Sequence, residues 1–229
     1  MLNSVPFFTE EMAQGYDDRN QRLSAIGESL HFIIRLLAAD LPPQARILCV
    51  GVGTGAEMIS LAQAYPTFNF VGVDPSAGML KVCEKRLHEL ALDQRCELIT
   101  GYVQDISPDV GYDAVLSILV AHFVPRDERA KYYRELTCRL KPGGLLINAE
   151  ISGDLDSELA PKMIHDWKKI QALMGATPES LAQLPFTLRS VLSVYSPKEI
   201  EQMLVDAGLN NLRQFFQAFM IHAWVGIKI

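Results

Sequence analysis

The fold follows from residues 47–62, which read ILCVGVGTGAEMISLA. An apolar run, Ile47 to Val50, is typical of a buried strand; it leads into a turn with three glycines, and a helical pattern begins at Glu57. Glycines between a strand and a helix let a ligand approach the backbone, where the N–H groups of the helix start face it. The stretch therefore predicts a strand, a ligand-binding turn and a helix.

The same order of strand and helix recurs downstream. A second strand is predicted from Phe68 to Val73 and a helix from Met79 to Leu92. A charged helix is predicted from Arg126 to Leu140. Further strands are predicted at residues 96–100, 112–117 and 145–149. Strands that alternate with helices imply right-handed crossovers, so the pattern predicts a doubly wound α/β fold with a mostly parallel sheet.

Helical segments flank and interrupt this core. An N-terminal cap, residues 1–40, contains a predicted helix from Arg19 to Ala39, and a helical lid, residues 153–195, is inserted after the fifth strand. Ser196 and Glu199 form a capping-box pattern at the start of another helix. Two closing strands follow at residues 212–216 and 219–227, the last of them antiparallel. We interpret residues 1–229 as a single domain.

Composition narrows the classes of function. The apolar fraction of 49% and charged fraction of 21% are those of a globular protein, and the net charge of −6 disfavours direct nucleic-acid binding. Four scattered cysteines without a Cys-x-x-Cys pair predict reduced thiols and a cytoplasmic location, and no metal site is predicted. No apolar run is long enough for a membrane span. A small-molecule substrate is favoured.

Asp74 is the acidic partner of the glycine turn. It ends the second predicted strand, where its carboxylate can accept hydrogen bonds from both hydroxyls of an adenosine ribose. The pattern is not exclusive, because Gly51, Gly53 and Ala56 also satisfy the G-x-G-x-x-G/A turn of dinucleotide-binding proteins. On these residues alone, a nicotinamide cofactor stays open.

Four segments, in order and spacing, resemble the class I S-adenosylmethionine-dependent methyltransferases. They are ILCVGVGTGAEMISLA, FNFVGVDPSAGMLKVCEKR, YDAVLSILVAHFV and LTCRLKPGGLLINAE. The N-terminal FFTEEMAQGYDDRN is similar to the cofactor-capping segment of small-molecule enzymes related to the quinone-modifying group, and to that of the carboxy-S-adenosylmethionine synthases. The resemblance implies a Rossmann-like sheet of seven strands, six parallel and the last antiparallel, and S-adenosylmethionine as the cofactor.

The same resemblance implies a set of cofactor-binding residues. Gly51, Gly53 and Gly55 would hold the methionine part, and Asp74 the ribose. Pro75 and Met79 would contact the adenine, and Val103 and Gln104 belong to the adenine-edge motif. Ser117 would face the amino-acid end of the cofactor, and Tyr16 would cover the site from the N-terminal segment. The adenine-edge motif departs from the family pattern, because many relatives have Gly-Asp where this chain has Gly101 and Tyr102.

Three functions stay open at this point. A methyltransferase with a small-molecule acceptor leads, and a carboxy-S-adenosylmethionine synthase of tRNA modification and a nicotinamide-dependent oxidoreductase are the alternatives. His122, just beyond the fourth strand, is the candidate general base. The synthases carry an arginine in the lid that pairs with a carboxylate. The nearest candidate in this chain is Arg189, but its position in the sequence does not align with that arginine. The aromatic run at Phe215, Phe216 and Phe219, with Trp224, fits burial in a core or homodimer better than an acceptor pocket.

Overall fold

The computed structural model describes residues 21–229, which form two compact units. The first unit ends at Ser107, and the second runs from Pro108 to Ile229. Helices accompany a mixed sheet of seven strands, as the sequence predicts. Tyr16 and the first half of the predicted N-terminal cap lie outside the described residues. The interpretation as a single domain stays a prediction.

The first unit holds the first three strands of the sheet. Its elements are α1 (Ser24–Ala38), β1 (Arg46–Val50), α2 (Ala56–Ala64), β2 (Asn69–Asp74), α3 (Ala77–Glu89) and β3 (Cys96–Thr100). The strands are parallel in the order β3-β2-β1. After an exposed first residue, β1 and β2 are buried throughout, as expected for parallel strands covered on both faces.

Helix α1 packs against α2 through one apolar face and is joined by hydrogen bonds to α2 and to the residue that follows α2. Leu30, Ile34 and Ala38 recur every four residues and are buried. Arg35 donates from Nη1 to Ser60 Oγ at 2.6 Å, and Tyr65 donates from its hydroxyl to the Arg35 carbonyl at 2.6 Å. The predicted N-terminal helix is confirmed over this range.

The second unit holds the other four strands and the lid. Its elements are β4 (Tyr112–Ile118), α4 (Arg129–Cys138), β5 (Leu140–Ile151), α5 (Ala160–Leu173), α6 (Pro178–Phe186), α7 (Pro197–Asp206), β6 (Leu209–Ala218) and β7 (Ile221–Lys228). The order is β4-β5-β7-β6, with β4 and β5 parallel and β7 antiparallel to both of its neighbours. The predicted antiparallel last strand is confirmed.

The charged helix is shorter than predicted at both ends. Arg126–Glu128 form a separate 3₁₀ turn, and α4 ends at Cys138 instead of Leu140. Leu140 already pairs with Tyr112 of β4, so the fifth strand begins five residues earlier than the predicted start at Leu145. The residue before a proline is disfavoured in a helix, and Pro142 therefore prevents α4 from continuing through Lys141.

The lid consists of α5, α6 and a π-helical turn at Thr187–Val191. Its two ends meet, because the Tyr195 carbonyl accepts hydrogen bonds from Gly153 N and from Ser152 Oγ, both at 2.9 Å. The predicted capping box of Ser196 and Glu199 is present at the start of α7. Within the described residues, no helix combines the length and apolar character that a bilayer crossing requires.

Candidate functional site

The glycine turn between β1 and α2 adopts backbone conformations that favour glycine. Gly51, Gly53 and Gly55 have φ values of +65°, +54° and +85°. The turn is fixed to the end of β2, because Gly51 N donates to the Val73 carbonyl at 2.7 Å. A Cβ atom at Gly55 would lie 2.5 Å from the Sγ of Cys83, so a larger residue would displace that side chain. The turn is therefore a backbone cradle held against the end of β2.

Asp74 closes this cradle from the end of β2. Its Oδ2 accepts from Gly53 N at 2.9 Å and its Oδ1 from Ser76 N at 2.8 Å. Burial raises the pKa of Asp74, and the two N–H groups, of Ser76 and then Gly53, oppose the rise. Each carboxylate oxygen keeps a second lone pair, so the carboxylate can still accept the two hydroxyl hydrogens of a ribose.

The residues predicted on the adenine side lie around the same strand end. Met79 is buried, and its Cε is in van der Waals range of a Cβ placed at Gly53, while Pro75 is exposed. Val103, buried, and Gln104, exposed, belong to a 3₁₀ turn, and Gly101 N donates to the Asp74 carbonyl at 3.1 Å. The first unit therefore brings these predicted residues together with Asp74.

The departure at the adenine-edge motif has a structural explanation. Asp105 accepts from Tyr102 N at 2.8 Å through Oδ2, and Asp105 N donates to the Tyr102 carbonyl at 3.0 Å. A Cβ at Gly101 would lie 2.6 Å from Asp105 Oδ2. Asp105 therefore shapes the turn that carries Val103 and Gln104.

Glu57 is a residue that the sequence reasoning missed. It lies in the first turn of α2, directly after the glycines, and only 8% of it is exposed. Burial raises its pKa to about 7, and the nearby charge of Asp74 adds to the rise, while Arg86 opposes it. An acidic residue after a glycine turn was the available signal, but its burial is a tertiary property. Two carboxyl groups therefore share the base of the cradle.

Ser117 and His122 belong to the second unit. Ser117, at the end of β4, is fully buried, and its hydroxyl lies 2.9 Å from the hydroxyl of Tyr132. His122 is 3% exposed, and its Nδ1 faces Ile151 N at 3.4 Å, which makes Nδ1 an acceptor. Burial, followed by the charge of Arg129, lowers the pKa of His122 to about 3. The imidazole is therefore neutral at physiological pH.

A buried ion pair joins α4 to β5 in the same unit. Arg129 donates from Nη1 to Glu150 Oε2, and neither side chain has exposed surface. Glu150 also accepts from the Tyr133 hydroxyl and from Asn148 Nδ2, the latter at 2.8 Å. Arg129 Nη2 donates to the carbonyl of Ser193 at 2.9 Å, at the end of the lid. The network ties the lid to the sheet.

Arg189 and Trp224 complete the residues singled out from the sequence. Arg189 pairs with Asp156 at 2.7 Å and also donates to the Leu155 carbonyl. Trp224 is core, with its Nε1 donating to Glu201 at 3.0 Å, whereas Phe219 is half-exposed in the turn between β6 and β7. Among residues 21–229, no group of three or more His, Cys, Asp and Glu side chains is arranged to hold a metal ion.

Comparisons with known proteins agree with this architecture. A family model described as "Methyltransferase domain" matches residues 47–144, from β1 into β5. The carboxy-S-adenosyl-L-methionine synthase of Campylobacter hominis is 28% identical over 213 residues, which are 92% of this chain and 89% of that protein. The synthase of Nautilia profundicola is 26% identical with the same coverage.

Two solved structures show the same fold. An O-methyltransferase family protein from Burkholderia thailandensis superposes with a TM-score of 0.69 at 14% identity, over 95% of this chain and 59% of that one. Magnesium protoporphyrin IX methyltransferase from Synechocystis PCC 6803, with bound SAH, superposes with a TM-score of 0.65 at 17% identity. The match covers 91% of this chain and 86% of that one. The chain thus spans about three fifths of the first and most of the second.

These matches and the geometry of the cradle lead to one class. The findings support a class I S-adenosylmethionine-dependent methyltransferase with S-adenosylmethionine as its cofactor. The two curated relatives reported above are carboxy-S-adenosyl-L-methionine synthases. Their sequences are 28% and 26% identical to this chain. Neither the family match nor these relatives support the nicotinamide alternative.

Proposed function

We propose that the chain transfers the methyl group of S-adenosylmethionine to a small-molecule acceptor. The observation that carries the proposal is the hydrogen bond between Gly53 N and Asp74, which fixes a glycine cradle and a carboxylate at one strand end. The small-molecule part is supported by the acidic net charge of −6 and by the magnesium protoporphyrin IX methyltransferase among the structural neighbours.

The proposed cofactor contacts are those of the sequence prediction. Gly51, Gly53 and Gly55 hold the methionine part and Asp74 accepts from the ribose. Pro75, Met79, Val103 and Gln104 form the adenine side; the resemblance adds Ser117 and Tyr16, of which Tyr16 lies outside the described residues. The bound sulfonium supplies a methyl carbon that is already activated. The chain contributes by alignment and exclusion of water, and positioning of this kind supplies about 7–11 kcal/mol.

His122 is the proposed base for acceptors that carry a proton at neutral pH. Its neutral form can accept a proton, but a conjugate-acid pKa of about 3 makes it a weak base. The Nδ1 lone pair accepts from Ile151 N, so Nε2 carries the ring hydrogen in the resting state, and His122 can take up a proton only at Nδ1 after that hydrogen bond has broken. The role of His122 is therefore limited to acceptors that need little help to lose a proton.

Calorimetric titration tests the cofactor assignment. We expect the purified chain to bind S-adenosylhomocysteine and not NAD. Transfer of tritium from methyl-labelled S-adenosylmethionine into a small-molecule fraction tests the reaction. Binding of NAD without binding of S-adenosylhomocysteine would overturn the proposal.

The second candidate is a carboxy-S-adenosylmethionine synthase, favoured by relatives that align over more than nine tenths of this chain. Against it, Arg189, the nearest candidate for the lid arginine of those enzymes, is already paired with Asp156. Mass spectrometry of the bound cofactor separates the two candidates, because a carboxymethyl group adds about 44 Da, the mass of CO₂, to the methyl form. Recovery of the carboxylated form would favour the synthase.

We further propose a cytoplasmic location and a homodimer. The four cysteines are free thiols, which suits a reducing compartment. Leu159, Leu173 and Phe186 of the lid are more than half exposed, and a second copy of the chain would cover apolar surface of this kind. Light scattering of the purified protein measures the mass of the assembly.

A further inference from the structure

The lid contains a cavity that none of the cofactor contacts uses. Its volume is about 570 Å³, within the range of pockets that bind small ligands. It lies beyond the carboxyl end of β5, between the segment that enters α5, one face of α5 and the end of α6. Ligands of open α/β sheets bind beyond the carboxyl ends of strands. The position is therefore suitable for a ligand.

One face of α5 gives the cavity an apolar wall and a cationic end. Pro161, Ile164, His165 and Lys168 follow each other at helical spacing and all line it. Leu155, which is buried, adds to the apolar surface. Apolar atoms and a cation thus face the same volume.

The positive charge of Lys168 is not neutralised within the described chain. Lys168 is half-buried and makes no ion pair with any residue between 21 and 229, whereas its neighbour Lys169 pairs with Asp166 at 2.8 Å. Arg189 also lines the cavity, but Asp156 balances its charge there. The amino-terminal end of α5, which has no side-chain cap, faces the same volume and favours an anion.

We propose that the lid cavity binds small molecules that carry an anionic group on an apolar body, with Lys168 as the counter-ion and Ile164 as the apolar contact. This binding site does not depend on the proposed methyl transfer. In an acidic protein, a cavity whose lysine has no ion-pair partner among residues 21–229 selects for such a ligand against cations.

A matched pair of dyes tests the proposal. 8-Anilino-1-naphthalenesulfonate carries a sulfonate on the same aromatic body that N-phenyl-1-naphthylamine presents without a charge. We expect Lys168→Gln to weaken sulfonate-dye binding about three- to tenfold in a fluorescence titration, as loss of one half-buried ion pair implies, and to leave the neutral dye unchanged. Ile164→Ala is expected to weaken both dyes.

Lys169→Gln is the matched control, because it removes the same charge one residue away from the cavity. Equal binding of the sulfonate dye to wild type and Lys168→Gln, or equal losses in Lys168→Gln and Lys169→Gln, would overturn the proposal. Thermal melts establish that each variant is folded. Titration of wild type with S-adenosylhomocysteine is independent of this cavity, so its failure would refute the cofactor proposal and leave the dye result standing.

Discussion

Asp74 has a carboxylate whose two oxygens both accept backbone N–H groups, from Gly53 and Ser76. An asparagine has one oxygen and one NH₂ group, so one of these N–H donors would then face another donor. A neutral amide is also a weaker acceptor for a ribose hydroxyl than a carboxylate. The cradle and the ribose contact therefore depend on the same side chain.

We predict that Asp74→Asn weakens binding of S-adenosylhomocysteine about ten- to hundredfold, since hydrogen bonds to charged groups contribute about 1.5–3 kcal/mol. Calorimetry measures the affinity, and circular dichroism checks the fold. Asp105→Asn is the control, because Asn keeps the oxygen that accepts from Tyr102 N. Equal losses in the two variants would show that Asp74 is not the ribose carboxylate.

Glu57 predicts a dependence of stability on pH. Its folded pKa of about 7 lies above the ordinary glutamate value of 4.5, so the unfolded chain releases this proton first as the pH rises. The contribution of Glu57 to the free energy of unfolding therefore falls between pH 4.5 and pH 7, by up to about 3 kcal/mol. We expect Glu57→Gln to be more stable than wild type at pH 8 in urea unfolding, with a smaller difference at pH 5. A difference of opposite sign at pH 8 would contradict this.

His122 predicts a flat pH profile for the transfer step. A base with a pKa of about 3 is unprotonated throughout pH 5–9, whereas a histidine near its usual pKa loses activity below about pH 6.5. We expect His122→Gln to lower kcat by about a hundredfold, the low end for general-base catalysis, without changing affinity for S-adenosylhomocysteine. A loss below threefold would remove the catalytic role.

Sequence patterns located the cradle but not its chemistry. Gly51, Gly53 and Asp74 follow from local signals, because backbone conformation and strand ends leave marks in the sequence. The raised pKa of Glu57 and the neutral state of His122 depend on burial by residues distant in the chain, so no local pattern carries them.

At the scale of elements, the tie between α4 and β5 is the most sensitive to substitution. Glu150→Gln leaves the charge of Arg129 buried without a carboxylate, and loss of one partner of a buried pair destabilises by about 3–5 kcal/mol. For a chain of this length we expect a fall in Tm of about 6–20 °C. Scanning calorimetry measures it.

The exposed pair of Lys85 and Glu89 on α3 provides the comparison. These side chains are 3.8 Å apart and are 76% and 59% exposed. Lys85→Gln should change the free energy of unfolding by less than about 0.5 kcal/mol. Similar shifts in Glu150→Gln and Lys85→Gln would mean that burial of the pair has no effect on stability.

Most elements could be predicted because each has a local cause. The parallel strands read as apolar runs, and α7 begins at the capping box of Ser196 and Glu199. The early start of β5 at Leu140 could not be predicted from periodicity, since it depends on pairing with Tyr112 across the sheet. The network around Glu150 was also beyond sequence reasoning, because its members come from separate elements.

At the scale of the whole molecule, the thiols report on the integrity of the fold. Cys49, Cys83 and Cys96 are buried, and burial raises the pKa of Cys83 to about 12 and that of Cys96 to about 11. Cys138 is exposed. We expect one of the four thiols to react quickly with Ellman's reagent in the native protein and all four in guanidinium chloride. Fast reaction of Cys83 in the native state would mean that the cradle opens.

The meeting of both lid ends at Tyr195 has a consequence for protein engineering. Gly153 and Ser152 reach the same carbonyl, that of Tyr195, so residues 154–194 leave the end of β5 and return to it at one point. Such a closed insertion can be exchanged for another of different length at a small entropic cost, because loop closure depends only weakly on length. This junction is therefore the place to graft a foreign lid without altering the sheet.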